Sequence, residues 1–311
     1  MRIAQRGDRH TSILRGVPML DVSRISKTFG DRRVLDDISF RVEPGRLTGF
    51  VGGNGAGKTT TMRTIIGVTR PDSGTVSLDG HPIGAADRAR FGYMPEERGL
   101  YPKMRTREQI AYLGELHGMT AAEADSRSRE ILTELGLGDR FDESLEDLSL
   151  GNQQRAQIAA ALVHRPQVLI LDEPFSGLDP LAVEVVLGVL QRIAARGAPV
   201  LFSSHQLDVV ERLADNLVII SAGRIRAAGS RALLQEQHST GLHRIVTEHD
   251  AGWIRDVPGV EVIEFDRGTA VFSAPDADAA QQVLRRALEY GPVTSFAPHR
   301  VPLSAIYREI V

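Results

Sequence analysis

Gly52-Gly53-Asn54-Gly55-Ala56-Gly57-Lys58-Thr59 sits between an apolar run, Leu47–Val51, and a stretch that reads as a helix, Lys58–Ile66. The spacing fits G-x-x-x-x-G-K-[ST] in the one context where that pattern has physical meaning, after a strand and at the head of a helix. Glycines let successive backbone N–H groups turn toward phosphate oxygens, and the helix N-terminus adds a favourable dipole. In such a loop the lysine, here Lys58, reaches the β- and γ-phosphates, and the hydroxyl of Thr59 ligates Mg2+. Gly52, Asn54, Gly55, Ala56, Gly57, Lys58, Thr59 and Thr60 are thus the expected cradle of a nucleoside triphosphate.

A second apolar strand, Val168-Leu169-Ile170-Leu171, ends in Asp172-Glu173-Pro174. Ligands of parallel sheets lie at the C-terminal edge of the strands, where this pair of carboxylates stands. Asp172 is expected to hold Mg2+ and Glu173 to polarise the attacking water. Outward from these two stretches, strands are expected at Leu20–Ser26, Val34–Val42 and Pro199–Ser203. A hairpin is expected over Gly74–Ile83, turning at Asp79-Gly80, and another over Asn216–Ala228 around Ala222-Gly223. Helices are expected between about Thr106 and His164, over Leu181–Arg196 and over Gln206–Ala214. Strand, helix and strand at these intervals predict an α/β fold with a parallel sheet.

The chain has 311 residues, enough for two domains, and 37 Lys+Arg against 40 Asp+Glu leave a formal net charge of −3. That balance argues against a large basic surface for duplex nucleic acid. There are no cysteines, so disulfides, thiolate metal sites and Cys nucleophiles are excluded. No apolar run approaches the roughly 18 residues that span a bilayer. Residues 1–17 carry four arginines without a signal-peptide core and read as an N-terminal extension. Near Gly229 the pattern changes. Strand His243–Glu248, helix Asp250–Asp256, strands Val260–Asp266 and Thr269–Ala274, helix Asp276–Tyr290 and strand Pro292–Phe296 give the β-α-β-β-α-β order of a ferredoxin-like domain. A last helix, Leu303–Val311, carries an apolar stripe of Leu303, Ile306, Ile310 and Val311 that is expected either to meet a partner surface and brace a dimer or to pack onto its own domain. The segment from 229 to 311 has eight Arg against eleven Asp and Glu, which also disfavours nucleic acid.

Three further stretches sharpen the reading. Leu148-Ser149-Leu150-Gly151-Asn152-Gln153-Gln154-Arg155 precedes the carboxylate strand, with Ser149 23 residues before Asp172. Ser176-Gly177-Leu178-Asp179-Pro180 follows Glu173, and His205 follows the next strand. In this order the chain resembles, over roughly residues 18–228, the ATP-binding subunits of ABC transporters. After 228 it resembles the accessory domain of a bacterial export branch that includes sodium and drug exporters. The resemblance implies an ABC-type phosphate-loop ATPase domain at 18–228, with a mixed sheet core, an antiparallel β subdomain and a helical subdomain. A small α+β ferredoxin-like domain at 229–311 would follow it.

The same resemblance implies that adenine stacks on Phe29 and that Ser149 and Gly151 grip the γ-phosphate of ATP held by an opposite subunit. It further implies that Asp179 communicates across that dimer and that His205 contacts the γ-phosphate. Two positions depart from the family pattern. Leu150 and Asn152 replace the first Gly and the Gln of the usual Leu-Ser-Gly-Gly-Gln signature, and Glu96 stands where a glutamine is usual. A carboxylate at Glu96 ligates Mg2+ better than an amide but adds negative charge beside the γ-phosphate. The implied function is ATP binding and hydrolysis for a membrane exporter. Such a chain would work at the cytoplasmic face as a homodimer or with a paralogous ATPase subunit, and drive a separate transmembrane permease. The resemblance places permease contact between Gly99 and about Arg140. The rival is a soluble ABC-type ATPase that regulates ribosomes or DNA.

Overall fold

The computed structural model describes residues 18–97 and 99–311, so the N-terminal extension expected at 1–17 lies outside the described residues. The chain divides into two compact units, the first ending at Gly229 and the second running from Ser230 to Val311.

In the first unit the elements run β1 (Leu20–Phe29), β2 (Arg32–Val42), β3 (Leu47–Val51), α1 (Lys58–Ile65), β4 (Ser73–Leu78), β5 (His81–Pro82), α2 (Ala85–Arg88) and β6 (Phe91–Met94). Helices α3 (Thr106–Leu116), α4 (Ala121–Glu134) and α5 (Leu150–Leu162) follow, then β7 (Val168–Leu171), α6 (Pro180–Ala195), β8 (Val200–Ser204), α7 (Leu207–Leu213), β9 (Asn216–Ser221) and β10 (Arg224–Ser230). A six-stranded sheet in the order β10-β9-β3-β8-β7-β6 forms the centre, and its pairs β9·β3, β3·β8, β8·β7 and β7·β6 are parallel. Strands covered on both faces read as unbroken apolar runs, and every residue of β3, β7 and β8 is buried. A four-stranded antiparallel sheet, β2-β1-β4-β5, packs beside it. Ile25, Leu35 and Ile38 of that sheet share one apolar cluster with Phe50, Ile170 and Leu201 of the parallel sheet and Met62 of α1.

Helices α3, α4 and α5 pack on one another through buried Ile110, Ile131, Leu132 and Ile158. Their boundaries are set by local chemistry. The Thr120 hydroxyl caps α4 by accepting from the Glu123 N–H, and the Glu123 carboxylate reaches back to the Thr120 N–H at 2.9 Å. The structure extends β1 to Phe29 instead of Ser26 and starts β2 at Arg32 instead of Val34, while β3 falls as expected, and β8 and the strands beginning at Leu242, Glu261 and Thr269 differ from their expected bounds by one residue.

The second unit contains α8 (Arg231–His238), β11 (Leu242–Thr247), β12 (Glu261–Asp266), β13 (Thr269–Ser273), α9 (Ala277–Tyr290), β14 (Val293–Pro298) and α10 (Leu303–Ile310). Its sheet order, β12-β13-β11-β14, is antiparallel throughout and is that of a ferredoxin-like sheet. The helix expected at Asp250–Asp256 is instead a 3-10 turn, Gly252–Asp256. Pro258 holds the preceding Val257 extended (φ −84°, ψ 120°), which ends the turn. Ile254 enters the core beside Phe272 and Val283. Leu303 and Ile306 of the last helix are fully buried in the single chain, α10 lying against α8. The stripe is therefore covered within its own unit at Leu303 and Ile306, as packing onto its own domain would have it, while Val311 is 53% exposed.

Candidate functional site

The glycine loop joins the C-terminal end of β3, near the middle of the parallel sheet, to α1. Two of its glycines are sterically required. A Cβ at Gly52 would lie 2.5 Å from the Ile220 carbonyl oxygen, and Gly57, which caps α1, has φ +112°. The loop wraps Lys58, whose side chain is buried and whose Nζ donates to the carbonyls of Gly52 at 2.7 Å and Gly53 at 3.3 Å. No acidic residue occupies the first turn of α1, so its N-terminal dipole is not neutralised locally.

Asp172 and Glu173 leave the end of β7, two strands from the loop, and both are buried. Asp172 Oδ1 accepts from the Ser203 hydroxyl at 2.5 Å, while Oδ2 is buried with no hydrogen-bond partner. Its charge, after burial, raises the Tyr93 phenol above the usual range. Glu173 has φ +53°, left-handed for a non-glycine residue. Its backbone is held on both sides: the N–H donates to Ser203 Oγ at 2.9 Å, and the C=O accepts from Gln154 Nε2 of α5 at 2.9 Å. Its carboxylate Oε1 lies 2.9 Å from Nδ1 of the half-exposed His205.

A cavity of about 390 Å3 is lined by Asn54, Gly55, Gly57, Lys58, Thr59, Thr60, Glu96 and Glu173. The structure thus brings the glycine loop, Glu173 and Glu96 around one space. Hard cations take oxygen donors: the Thr59 hydroxyl and the Glu96 carboxylate line this cavity, and Asp172, at the end of β7, keeps one buried oxygen without a hydrogen-bond partner, a donor set of the kind that suits Mg2+. Phe29 closes β1 with its ring half exposed and Lys27 Nζ 5.3 Å from its centroid, so it is not a core residue. A larger cavity, about 610 Å3, opens at the opposite, N-terminal edge of the strands and contains none of these groups.

Of the expected residues, Phe29, Gly52, Ala56, Asp172 and His205 stand beside the phosphate cavity without being among the residues that line it, and Ser149, Gly151 and Asp179 do not line it either. Ser149 caps α5, accepting from the Asn152 N–H at 3.4 Å. Asp179 caps α6, accepting from the Ala182 N–H at 2.8 Å. Gly151 lies against the Asp179 loop, where an added Cβ would meet the Gly177 carbonyl oxygen at 3.3 Å. Beside them Leu150 and Leu181 are 61% and 79% exposed, apolar side chains left in water by the single chain.

Sequence reasoning missed four residues. Arg32 and Val34 of β2 line the phosphate cavity, and Arg32 pairs with Phe29 in the β1–β2 register. Its place one turn after Phe29 was the available signal. Gln154 lies in the quoted Leu148–Arg155 stretch but was given no role, and Ser203 carries no motif, its only hint being a polar residue that ends the apolar run Val200–Phe202.

A phosphate loop between a central parallel strand and a helix, with an acidic pair at the same edge of the sheet, defines a phosphate-loop ATP-binding fold of the α/β class. The family model described as ABC transporter matches residues 35–176, and that of the ATP-binding protein DrrA1-3-like C-terminal domain matches 229–311. The chain is 33% identical to the uncharacterized ABC transporter ATP-binding protein YhaQ of Bacillus subtilis, over 94% of this chain and 98% of that one. It is 38% identical to the Nod factor export ATP-binding protein I of Paraburkholderia xenovorans, over 69% of this chain and 72% of that one. Among solved structures it resembles an ATP binding subunit of an ABC transporter, with 34% identity and a TM-score of 0.64, over 71% of this chain and 93% of that one. The chain belongs to the ATP-binding proteins of ABC transporters, a family that hydrolyses ATP. No helix among the described residues is long and apolar enough to cross a membrane.

Proposed function

We propose that this chain is the ATP-hydrolysing subunit of a membrane exporter, acting at the cytoplasmic face beside a separate transmembrane permease. One observation carries the reading. The described residues form one phosphate cavity, and the capped N-terminus of α5 with Ser149 and Gly151 lies outside it. A helix N-terminus suits an anion, so a second subunit facing head to tail would bring its Ser149 and Gly151 to the γ-phosphate. Symmetry then closes two equal sites at once when the pair is a homodimer, and a paralogue would close two unlike ones.

In each site Lys58 and the glycine-loop N–H groups bind the β- and γ-phosphates, and Phe29 stacks on adenine. Thr59, Asp172 and Glu96 would hold Mg2+, which would neutralise charge on the transferred phosphoryl group. Glu173 orients the attacking water and takes up its proton, and His205, 2.9 Å from that carboxylate, fixes its direction toward the γ-phosphate. Asp179 couples the two sites across the dimer. Closure on ATP and release after hydrolysis move the permease, which contacts residues between Gly99 and about Arg140. Export is the direction named for the Nod factor relative.

The test is affinity capture of the tagged chain from native membranes. A polytopic membrane protein recovered in stoichiometric amount supports the reading. Recovery with ribosomal or DNA-bound proteins alone overturns it.

A further inference from the structure

Ser203 belongs to no motif of the site, yet it touches both acidic residues. It lies on β8, one step past the paired Leu171 and Phe202, and is fully buried. The Glu173 amide can only donate, so the Ser203 oxygen accepts from it at 2.9 Å. The hydroxyl proton then goes to Asp172 Oδ1, 2.5 Å away. One hydroxyl therefore does two things. It fixes the torsion of the Asp172 carboxylate so that Oδ2 is the oxygen left without a hydrogen-bond partner. It also secures the peptide that carries Glu173 in a left-handed conformation at φ +53°, which a non-glycine residue keeps only when its surroundings enforce it.

We propose that Ser203 is a positioning residue for the metal–nucleotide site, its buried hydroxyl setting the free oxygen of Asp172 toward the cation while it holds the backbone of Glu173. The inference rests on the ATPase reading of that site. Residues that hydrogen-bond a metal ligand typically change metal affinity or activity by about tenfold to a hundredfold when removed. A serine that only fills a buried polar position would change stability and leave metal affinity alone.

The experiment uses the full chain with Ser203→Ala and Ser203→Cys. Mn2+ binding in the presence of a non-hydrolysable ATP analogue is read by electron paramagnetic resonance. Metal-free binding of a fluorescent ATP analogue is measured beside it. In Ser203→Ala, Mn2+ affinity falls by about tenfold or more, and metal-free nucleotide binding stays within about twofold because Lys58 and the glycine loop are untouched. Ser203→Cys keeps the volume and a weak donor and falls between. Mn2+ affinity unchanged in Ser203→Ala, even with a lowered melting temperature, overturns the inference. Should Ser203→Ala not fold, unchanged Mn2+ affinity in Ser203→Cys overturns it equally. Wild-type protein that binds the analogue but recruits no Mn2+ refutes the ATPase reading itself, a separate outcome.

Discussion

Glu173→Gln separates the chemistry of the site from its architecture. The substitution keeps the shape of a buried side chain and leaves both backbone clamps, Ser203 on the N–H and Gln154 on the C=O, in place. What it removes is the negative charge that would take the proton of the attacking water. A positioned general base contributes about 10²- to 10⁴-fold, or roughly 3–5 kcal/mol of transition-state stabilisation. The stability change is small by comparison. His205 is 53% exposed, so its pairing with the carboxylate is screened and worth under about 1 kcal/mol. Phosphate release by Glu173→Gln should therefore fall at least about a hundredfold, with ATP affinity within about threefold of wild type, since the role proposed for the carboxylate is toward the attacking water and not the nucleotide. Single-turnover phosphate release and equilibrium binding of a fluorescent ATP analogue measure the two quantities. Hydrolysis within severalfold of wild type would refute the role given to Glu173, and a matched loss of binding would make it a binding residue.

Lys58→Ala removes the one buried ammonium in the loop; losing the charged partner of a desolvated anion costs at least about 2 kcal/mol, so ATP dissociation constants should rise about thirtyfold or more by isothermal titration. Gly57→Ala forces a side chain onto φ +112° with a Cβ 2.7 Å from Leu35 Cδ2, and urea denaturation should show a loss of about 1–3 kcal/mol. Acid should weaken the fold through His164, whose pKa is lowered to about 4 by burial first and by the stacked His117 second. Below the unfolded value of 6.5 the unfolded chain binds a proton that the folded one refuses, so stability is present above that pH and is lost as pH falls toward 4. Between pH 7 and pH 5 this amounts to about 2 kcal/mol, and His164→Gln should flatten that part of the stability profile in denaturant titrations.

Most of the parallel core was legible because its strands are buried on both faces and read as apolar runs; β3 falls on Leu47–Val51 as expected. The glycine loop was legible because backbone geometry admits so few residues there. The region from Asp250 to Asp256 was less so, since its helical pattern is cut short by Pro258 and by the demand that Ile254 enter the core. The stripe on the last helix was read correctly as apolar, but what covers Leu303 and Ile306 is tertiary and leaves no mark in the local pattern. The same holds for Ser203 and Gln154, which reach Glu173 from elements 30 and 19 residues away. Hydrogen bonds between distant segments have no periodicity to read.

The account depends most on a nucleotide site completed by a second subunit. Sedimentation equilibrium of the full-length Glu173→Gln chain, with and without ATP and Mg2+, tests that directly. The account predicts a monomer without nucleotide and a dimer with it, because the uncleaved γ-phosphate stays available to Ser149 and Gly151 of the opposite subunit. A chain that binds ATP and remains monomeric at every concentration would contradict a site shared between identical copies, and a dimer insensitive to ATP would contradict its role as the switch.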